Sequence, residues 1–218
     1  MKRTRSDGAC KLCSQTLLQK EIRKHLSVCK EYQQAKGATE VFLVMAEAHP
    51  YWVCFEAEAT LTLEKIDQYL RNLWMECCGH LSAFTIDKQR YASDDELDAD
   101  EKNMKAKLKD AIGEKAKFSY EYDFGTTTDL LLTCISKTTG NHGLRTIARN
   151  NPPDIKCDIC KEPAEEVCQN CIYDNKGFFC KHCASKHRCD IDFTLPIVNS
   201  PRMGMCGFTG EECRLIDE

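Results

Sequence analysis

The chain has 218 residues, 42% of them hydrophobic and 29% charged, a balance that suits an ordinary soluble protein of one large domain or two to three small ones. It has no run of 18 apolar residues of the kind a membrane-spanning helix needs, and its opening MKRTRSDGACKLC is basic without the apolar stretch of a secretory signal. The expectation is a cytoplasmic protein with reduced thiols, in which sixteen cysteines, many in C-x-x-C pairs, point to metal rather than disulfides.

The net charge of -4 is unevenly spread. Residues 1–36 carry nine Lys/Arg against three acids, a net +6, which leaves -10 for the remainder. A basic first segment on an acidic body is compatible with nucleic-acid contact at that segment only. The segment reads Cys10-x2-Cys13-x11-His25-x3-Cys29. Two thiols on a knuckle, then a His and a Cys one helical turn apart, can meet one tetrahedral Zn²⁺. Leu17 and Ile22 fall where a small ββα unit places its core, and so short a unit needs metal to fold. Residues 1–36 resemble C2HC-type zinc fingers.

Residues 38–137 hold no C-x-x-C pair and are the one segment able to build a core unaided. VFLVMAEA and YWVCFEAEA read as strands, with Val53, Phe55, Ala57 and Ala59 on one face. TLEKIDQYLRNLWMECCG reads as a helix: Thr62 is the N-cap, Ile66, Tyr69, Leu70, Leu73, Trp74 and Cys77 recur at helical spacing, and Gly79 stops it. LSAFTIDKQRYA reads as a hairpin turning near Asp87–Gln89. SDDELDADEKNMKAKLKDAIG reads as a polar, exposed helix with an acidic start. KFSYEYDF and LLLTCIS supply two more strands. The order β-β-α-β-β-α-β-β predicts an α+β domain.

The stretches WVCFEAEATLTLEKI, HLSAFTIDKQRY and FSYEYDFG resemble the plasmid pRiA4b ORF-3-like family over roughly residues 40–137. That family is often labelled transposon-associated, and its biochemical role is largely unassigned. It usually continues Y-D-F-G with Asp-x-Trp-x-His, where this chain has Thr126, Thr128 and Leu130. The resemblance therefore implies the fold and not a shared activity at that turn. It also accounts for His80, which opens the family's H-L-x-x-F strand.

TTGNHGLRTIARNNPPD, residues 138–154, is rich in Gly, Asn and Pro and reads as a linker. Residues 155–218 then read Cys157-x2-Cys160-x7-Cys168-x2-Cys171-x8-Cys180-x2-Cys183-x3-His187-x-Cys189. Eight donors fit two zinc ions with four ligands each. Sequential pairing joins Cys157 and Cys160 to Cys168 and Cys171; cross-brace pairing joins them to Cys180 and Cys183. The cross-brace is favoured because it locks the segment into one unit, and it resembles B-box zinc domains. The spacing leaves open whether Cys189 or Cys206 supplies the last ligand. His182 is expected to point away, and LPIVNSPRMGMCGFTG to pack back on the zinc domain.

Catalytic signatures are missing. There is no H-E-x-x-H, no zinc-deaminase pattern, no phosphate loop and no Gly-x-Ser-x-Gly elbow. Cys77, Cys78 and His80 lack a third, orienting group, and the acidic run at 94–101 suits a solvated helix start. Phe118, Tyr120, Tyr122 and Phe124 suit a core strand better than a base-stacking platform. Four-thiolate and three-thiolate sites are usually closed and structural. The expectation is a non-enzymatic protein with no catalytic residue and three Zn²⁺ ions. It is expected to bind a protein or nucleic acid through zinc-stabilised modules, with no small-molecule substrate and no membrane.

Overall fold

The computed structural model describes residues 6–35, 37–94, 96–141, 143–189, 191–211 and 213. In chain order the elements are β1 (Asp7–Cys10), β2 (Thr16–Leu18), α1 (Ile22–Leu26), α2 (Lys30–Gln34), β3 (Thr39–Ala48) and β4 (Tyr51–Glu58). Then come α3 (Leu63–Leu70), β5 (Ser82–Ile86), β6 (Gln89–Ala92), β7 (Glu101–Asn103), α4 (Leu108–Ala111), β8 (Lys117–Tyr122), β9 (Thr128–Gly140) and β10 (Leu144–Asn150). The C-terminal part adds β11 (Glu166–Cys168), β12 (Phe178–Phe179), α5 (Lys181–Ala184) and β13 (Thr194–Pro196). The content is mixed and mostly sheet.

Ten strands form one sheet in the order β2-β1-β10-β4-β3-β9-β8-β5-β6-β7, antiparallel except for the β6–β7 pair. Strands β3 and β4 lie at its middle and are buried on both faces. On one face Phe42, Val44, Val53, Phe55 and Ala57 pack with Ile66, Tyr69, Leu70 and Trp74 of α3 and the turn after it. On the other, Leu43, Met45, Trp52, Cys54 and Ile147 pack with Leu17, Ile22, Leu26 and Tyr32 of the N-terminal segment. Each of Leu17, Ile22 and Leu26 stabilises that contact by about 1.5–3 kcal/mol through burial.

This second face corrects the expectation of a separate N-terminal unit. Strand β1 pairs with β10, so residues 7–18 extend the central sheet and α1 and α2 cover its back. Deeper in the same interface Glu56 accepts a 2.7 Å hydrogen bond from the Tyr32 hydroxyl and two more from the Arg145 guanidinium, at 3.0 and 2.8 Å.

Three further expectations change. The linker placed at 138–154 is instead the end of β9 and all of β10, which bonds to β4 on one side and β1 on the other. The long polar helix placed at 93–113 is reduced to the four residues of α4, preceded by β7. Its apolar residues Met104, Leu108 and Ile112 recur every fourth position as a helix would have them, but they reach the core from a turn and one short helix. The backbone N–H of Leu63 bonds to the Ala106 carbonyl, and that of Leu108 to the Leu61 carbonyl, in place of a continuous helix. The helix expected to run through Cys77 ends its α-form at Leu70, passes through a π-turn at Arg71–Met75, and leaves Cys77 partly exposed.

The hairpin turn falls at Asp87 and Lys88, both with positive φ (48° and 69°), the left-handed pair that a two-residue connection between twisted strands requires. Phe118, Tyr120 and Tyr122 are buried and Phe124 is exposed, stacked on the Arg90 guanidinium 4.7 Å from the ring centre. A separate three-stranded sheet, β12-β11-β13, organises the C-terminal segment. No helix among the described residues is long and apolar enough to cross a membrane.

Candidate metal centres

At the N-terminus β1 delivers Cys10 into a tight turn. The Ser14 N–H bonds back to the Cys10 carbonyl at 2.8 Å, and Ser14 takes a positive φ of 61°. That turn points Cys13 at α1, where the Cys13 sulfur lies 3.5 Å from His25 Nε2. The Cys29 N–H bonds to the His25 carbonyl at 2.9 Å, one turn further on. Cys10, Cys13, His25 and Cys29 thus present four donor atoms within 4.8 Å of one another.

The C-terminal segment repeats the device. Cys157 starts a turn closed by the Lys161 N–H on the Cys157 carbonyl at 3.0 Å, with Lys161 at φ 67°. Cys180 immediately precedes α5 and Cys183 lies within it. These four thiols form one group, in which Cys160 and Cys180 are 3.6 Å apart. Cys168 ends β11, Cys171 follows, and His187 and Cys189 come after α5. The Cys171 sulfur is 3.3 Å from His187 Nε2 and 3.9 Å from the Cys189 sulfur. These groupings are the ones a cross-brace uses, and it is Cys189 rather than Cys206 that lies with His187. His182 belongs to neither group; its Nε2 sits 2.9 Å from Lys186 Nζ.

These distances identify what the donors can hold. A disulfide needs about 2.05 Å between sulfurs, and all sixteen cysteines are free thiols. A tetrahedral ion with bonds of about 2.3 Å to sulfur and about 2.05 Å to nitrogen sets edges of about 3.8 Å and about 3.6 Å. The observed 3.6 and 3.9 Å between sulfurs, and 3.3 and 3.5 Å between sulfur and nitrogen, are those edges. The protonation chemistry agrees with a cationic occupant. Burial, joined by hydrogen bonds from neighbouring thiols, pushes Cys29, Cys171 and Cys183 up to about 12. So many thiolates resist ionising together without a dication, which reverses the local electrostatics. Cys157 goes the other way: burial opposes its ionisation, but the N–H groups of Cys160, Cys180 and Ile159 outweigh it and bring it down to about 6. Phe179 packs at a tilt against His187 with ring centres 4.4 Å apart and holds the imidazole in place. Gly177, at φ 101°, lets the chain pass the second group; a Cβ there would sit 2.9 Å from that of Cys171.

One further grouping has no counterpart in the spacing. Cys206 lies with Cys77, Cys78 and His80, 3.8 Å from the Cys78 sulfur and 3.3 Å from His80 Nε2. The donor-dense run C-C-x-H was the only local signal; its fourth member is 126 residues beyond His80. The stretch that carries Cys206, expected to pack back on the zinc domain, docks on the large sheet as well. The Ser200 hydroxyl donates to the Trp74 carbonyl, and Arg202 reaches Asp123, the Thr126 carbonyl and the Thr128 hydroxyl.

Fold and sites together define a large, mostly antiparallel sheet domain carrying cysteine and histidine clusters able to bind metal ions. Residues 40–152, just over half of the chain, match the family described as plasmid pRiA4b ORF-3-like protein, and the chain belongs to that family. The matched stretch runs from β3 through β10, so the three clusters expected from spacing lie outside it. Among solved structures the chain is similar to a protein of unknown function from Methanosarcina mazei Go1. The two are 17% identical, with 51% of this chain and 68% of that one covered and a TM-score of 0.43. No curated protein matches the chain.

Proposed function

We propose that the chain is a non-enzymatic, zinc-binding recognition protein. Three Zn²⁺ ions occupy Cys10/Cys13/His25/Cys29, Cys157/Cys160/Cys180/Cys183 and Cys168/Cys171/His187/Cys189, making a C2HC-type finger and a B-box-like pair. The observation that carries this reading is that each set is complete: four protein donors fill a tetrahedral ion and leave no position for substrate or water. Rigid metal-stapled surfaces suit recognition of another macromolecule.

The second reading, nucleic-acid binding in a mobile-element context, is favoured by one feature. Lys20, Arg23 and Lys24 are exposed on and beside α1, away from the packed side carrying Ile22 and Leu26. Fluorescence anisotropy with random duplex DNA and single-stranded RNA, at low and physiological salt, separates the two. Because residues 7–34 share the core of the sheet, the control is the full chain with Lys20, Arg23 and Lys24 each changed to Gln. Binding that falls with salt and with these substitutions establishes phosphate contact. No binding at low salt refutes it and leaves a protein partner. Zinc itself is tested by native mass spectrometry.

A further inference from the structure

We propose that Cys77, Cys78, His80 and Cys206 form a fourth metal site, a clasp for a thiolate-preferring dication such as Zn²⁺, which fastens the 198–210 loop to the central domain and is the most readily exchanged of the four.

The donors have the dimensions of the other three sets. Cys77 and Cys78 are 3.6 Å apart, Cys78 and Cys206 3.8 Å, Cys78 and His80 Nε2 3.0 Å, and His80 Nε2 and Cys206 3.3 Å. Backbone geometry is spent on bringing them together. Gly79, at φ 73°, turns the chain so that Cys78 and His80 face one point. Cys206 itself has φ 49°, a conformation that a residue with a Cβ adopts at a cost and keeps only where its surroundings impose it. The groups around Cys77 suit a thiolate ligand: the Tyr122 hydroxyl is 3.8 Å and an Arg202 guanidinium nitrogen 3.9 Å from its sulfur. Arg202 is completely buried and is held by Asp123, so this cation is fixed in place.

The clasp lies where two parts of the chain meet. Gly204 presses against Ile172 and Val167 of the C-terminal segment, and the Gly207 N–H bonds to the Gln169 side chain at 2.9 Å. On its other side the loop holds Trp74, Asp123 and Thr128 through Ser200 and Arg202. An ion shared by Cys206 and the 77–80 turn therefore ties the C-terminal metal module to the sheet. Exposure separates this site from the rest. Every other set contains at least one fully buried thiol, whereas here Cys78 and Cys206 are exposed and Cys77 and His80 only partly covered. An incoming chelator or thiol reaches these ligands directly, so this ion leaves first. Its loss frees the loop while the three other sites stay filled.

The test uses the full chain loaded with Zn²⁺. Native mass spectrometry is expected to find four ions on the wild type and three on Cys206→Ser and, independently, Cys78→Ser. Both substitutions are at exposed positions outside any helix or strand. Stepwise addition of a chromophoric chelator is expected to release one ion well before the other three, and that early phase is missing in both variants. Hydrogen exchange over 198–210 is expected to rise at least tenfold with the first release and in both variants, with 157–189 unchanged. Three ions on the wild type, an early phase that survives Cys206→Ser, or a loop whose exchange ignores the first ion would each overturn the proposal.

Discussion

The Glu56 carboxylate fixes the N-terminal segment to the sheet, and breaking its pairing should unfasten that contact. Its side chain is 2% exposed and that of Arg145 17%. The carboxylate is satisfied by the Tyr32 hydroxyl on one oxygen and by two guanidinium N–H groups on the other. Arg145→Met keeps the packing of the side-chain stem but leaves a buried carboxylate with one partner, at a cost of about 3–5 kcal/mol. For a chain of this length the corresponding fall in Tm is roughly 6–20 °C. Tyr32→Phe removes a single hydrogen bond to a charged group and costs less, about 1.5–3 kcal/mol. The triple change Tyr32→Phe, Glu56→Leu, Arg145→Met leaves no orphaned charge and is expected to cost less than Arg145→Met alone. Thermal melting by circular dichroism at saturating Zn²⁺ measures all three. If Arg145→Met melts within 2 °C of the wild type, or the triple variant falls below it, Glu56 is not the buried, paired charge described here.

Two other outcomes follow from the same geometry. Besides its cysteines, the described part of 157–189 buries Val167, Phe179 and Ala184 as hydrophobic residues, too small a core to fold unaided, so removing metal should unfold the segment. After exhaustive chelation, hydrogen exchange across 157–189 should reach the unstructured rate while β3, β4 and β9 stay protected; persistent protection at 157–189 would refute metal-driven folding. Gly177→Ala places a Cβ 2.9 Å from that of Cys171 at a φ of 101°, a strain of about 1–3 kcal/mol. It should weaken the Cys168/Cys171/His187/Cys189 ion selectively, read as one ion fewer by native mass spectrometry at limiting Zn²⁺.

What the sequence discloses here depends on how local the cause is. Cys10 to Cys29 span twenty residues, and the turn at Cys10–Ser14 and the helix around His25 both follow from neighbouring residues, so ligand spacing sufficed. The alternation of Val53, Phe55 and Ala57 was equally legible, but Trp52 and Cys54 on the opposite face are just as buried. A run apolar on both faces signals a strand covered on both sides. The covering element was the N-terminal segment, whose Leu17 and Ile22 fit a self-contained finger as readily. Residues 138–154 misled through composition: Gly and Asn suggested a linker, while Ile147 and Ala148 are fully buried between two strands. Met104, Leu108 and Ile112 misled through periodicity, because residues four apart also meet across a turn and a short helix. Cys206 was illegible in principle, its partners being set by the docking of Arg202 and Ser200 against a distant part of the chain.

The two additions outside the family stretch are joined to it by different physics, and this predicts how each responds to metal. The N-terminal segment adds β1 and β2 to an edge that β10 would otherwise expose, and it buries Leu17, Ile22, Leu26 and Tyr32 against the sheet. That contact persists on apolar burial and the Glu56 network even if Cys10, Cys13, His25 and Cys29 lose their ion. Among the described residues, the C-terminal segment shares no strand with the large sheet. It is attached through the 198–210 loop, by the Ser200 and Arg202 hydrogen bonds, by Asn199 bonded to Asn150 and by the Cys206 clasp. Metal depletion therefore acts in order of exposure: the loop is released first, the cross-braced module unfolds next, and the N-terminal segment stays on the sheet.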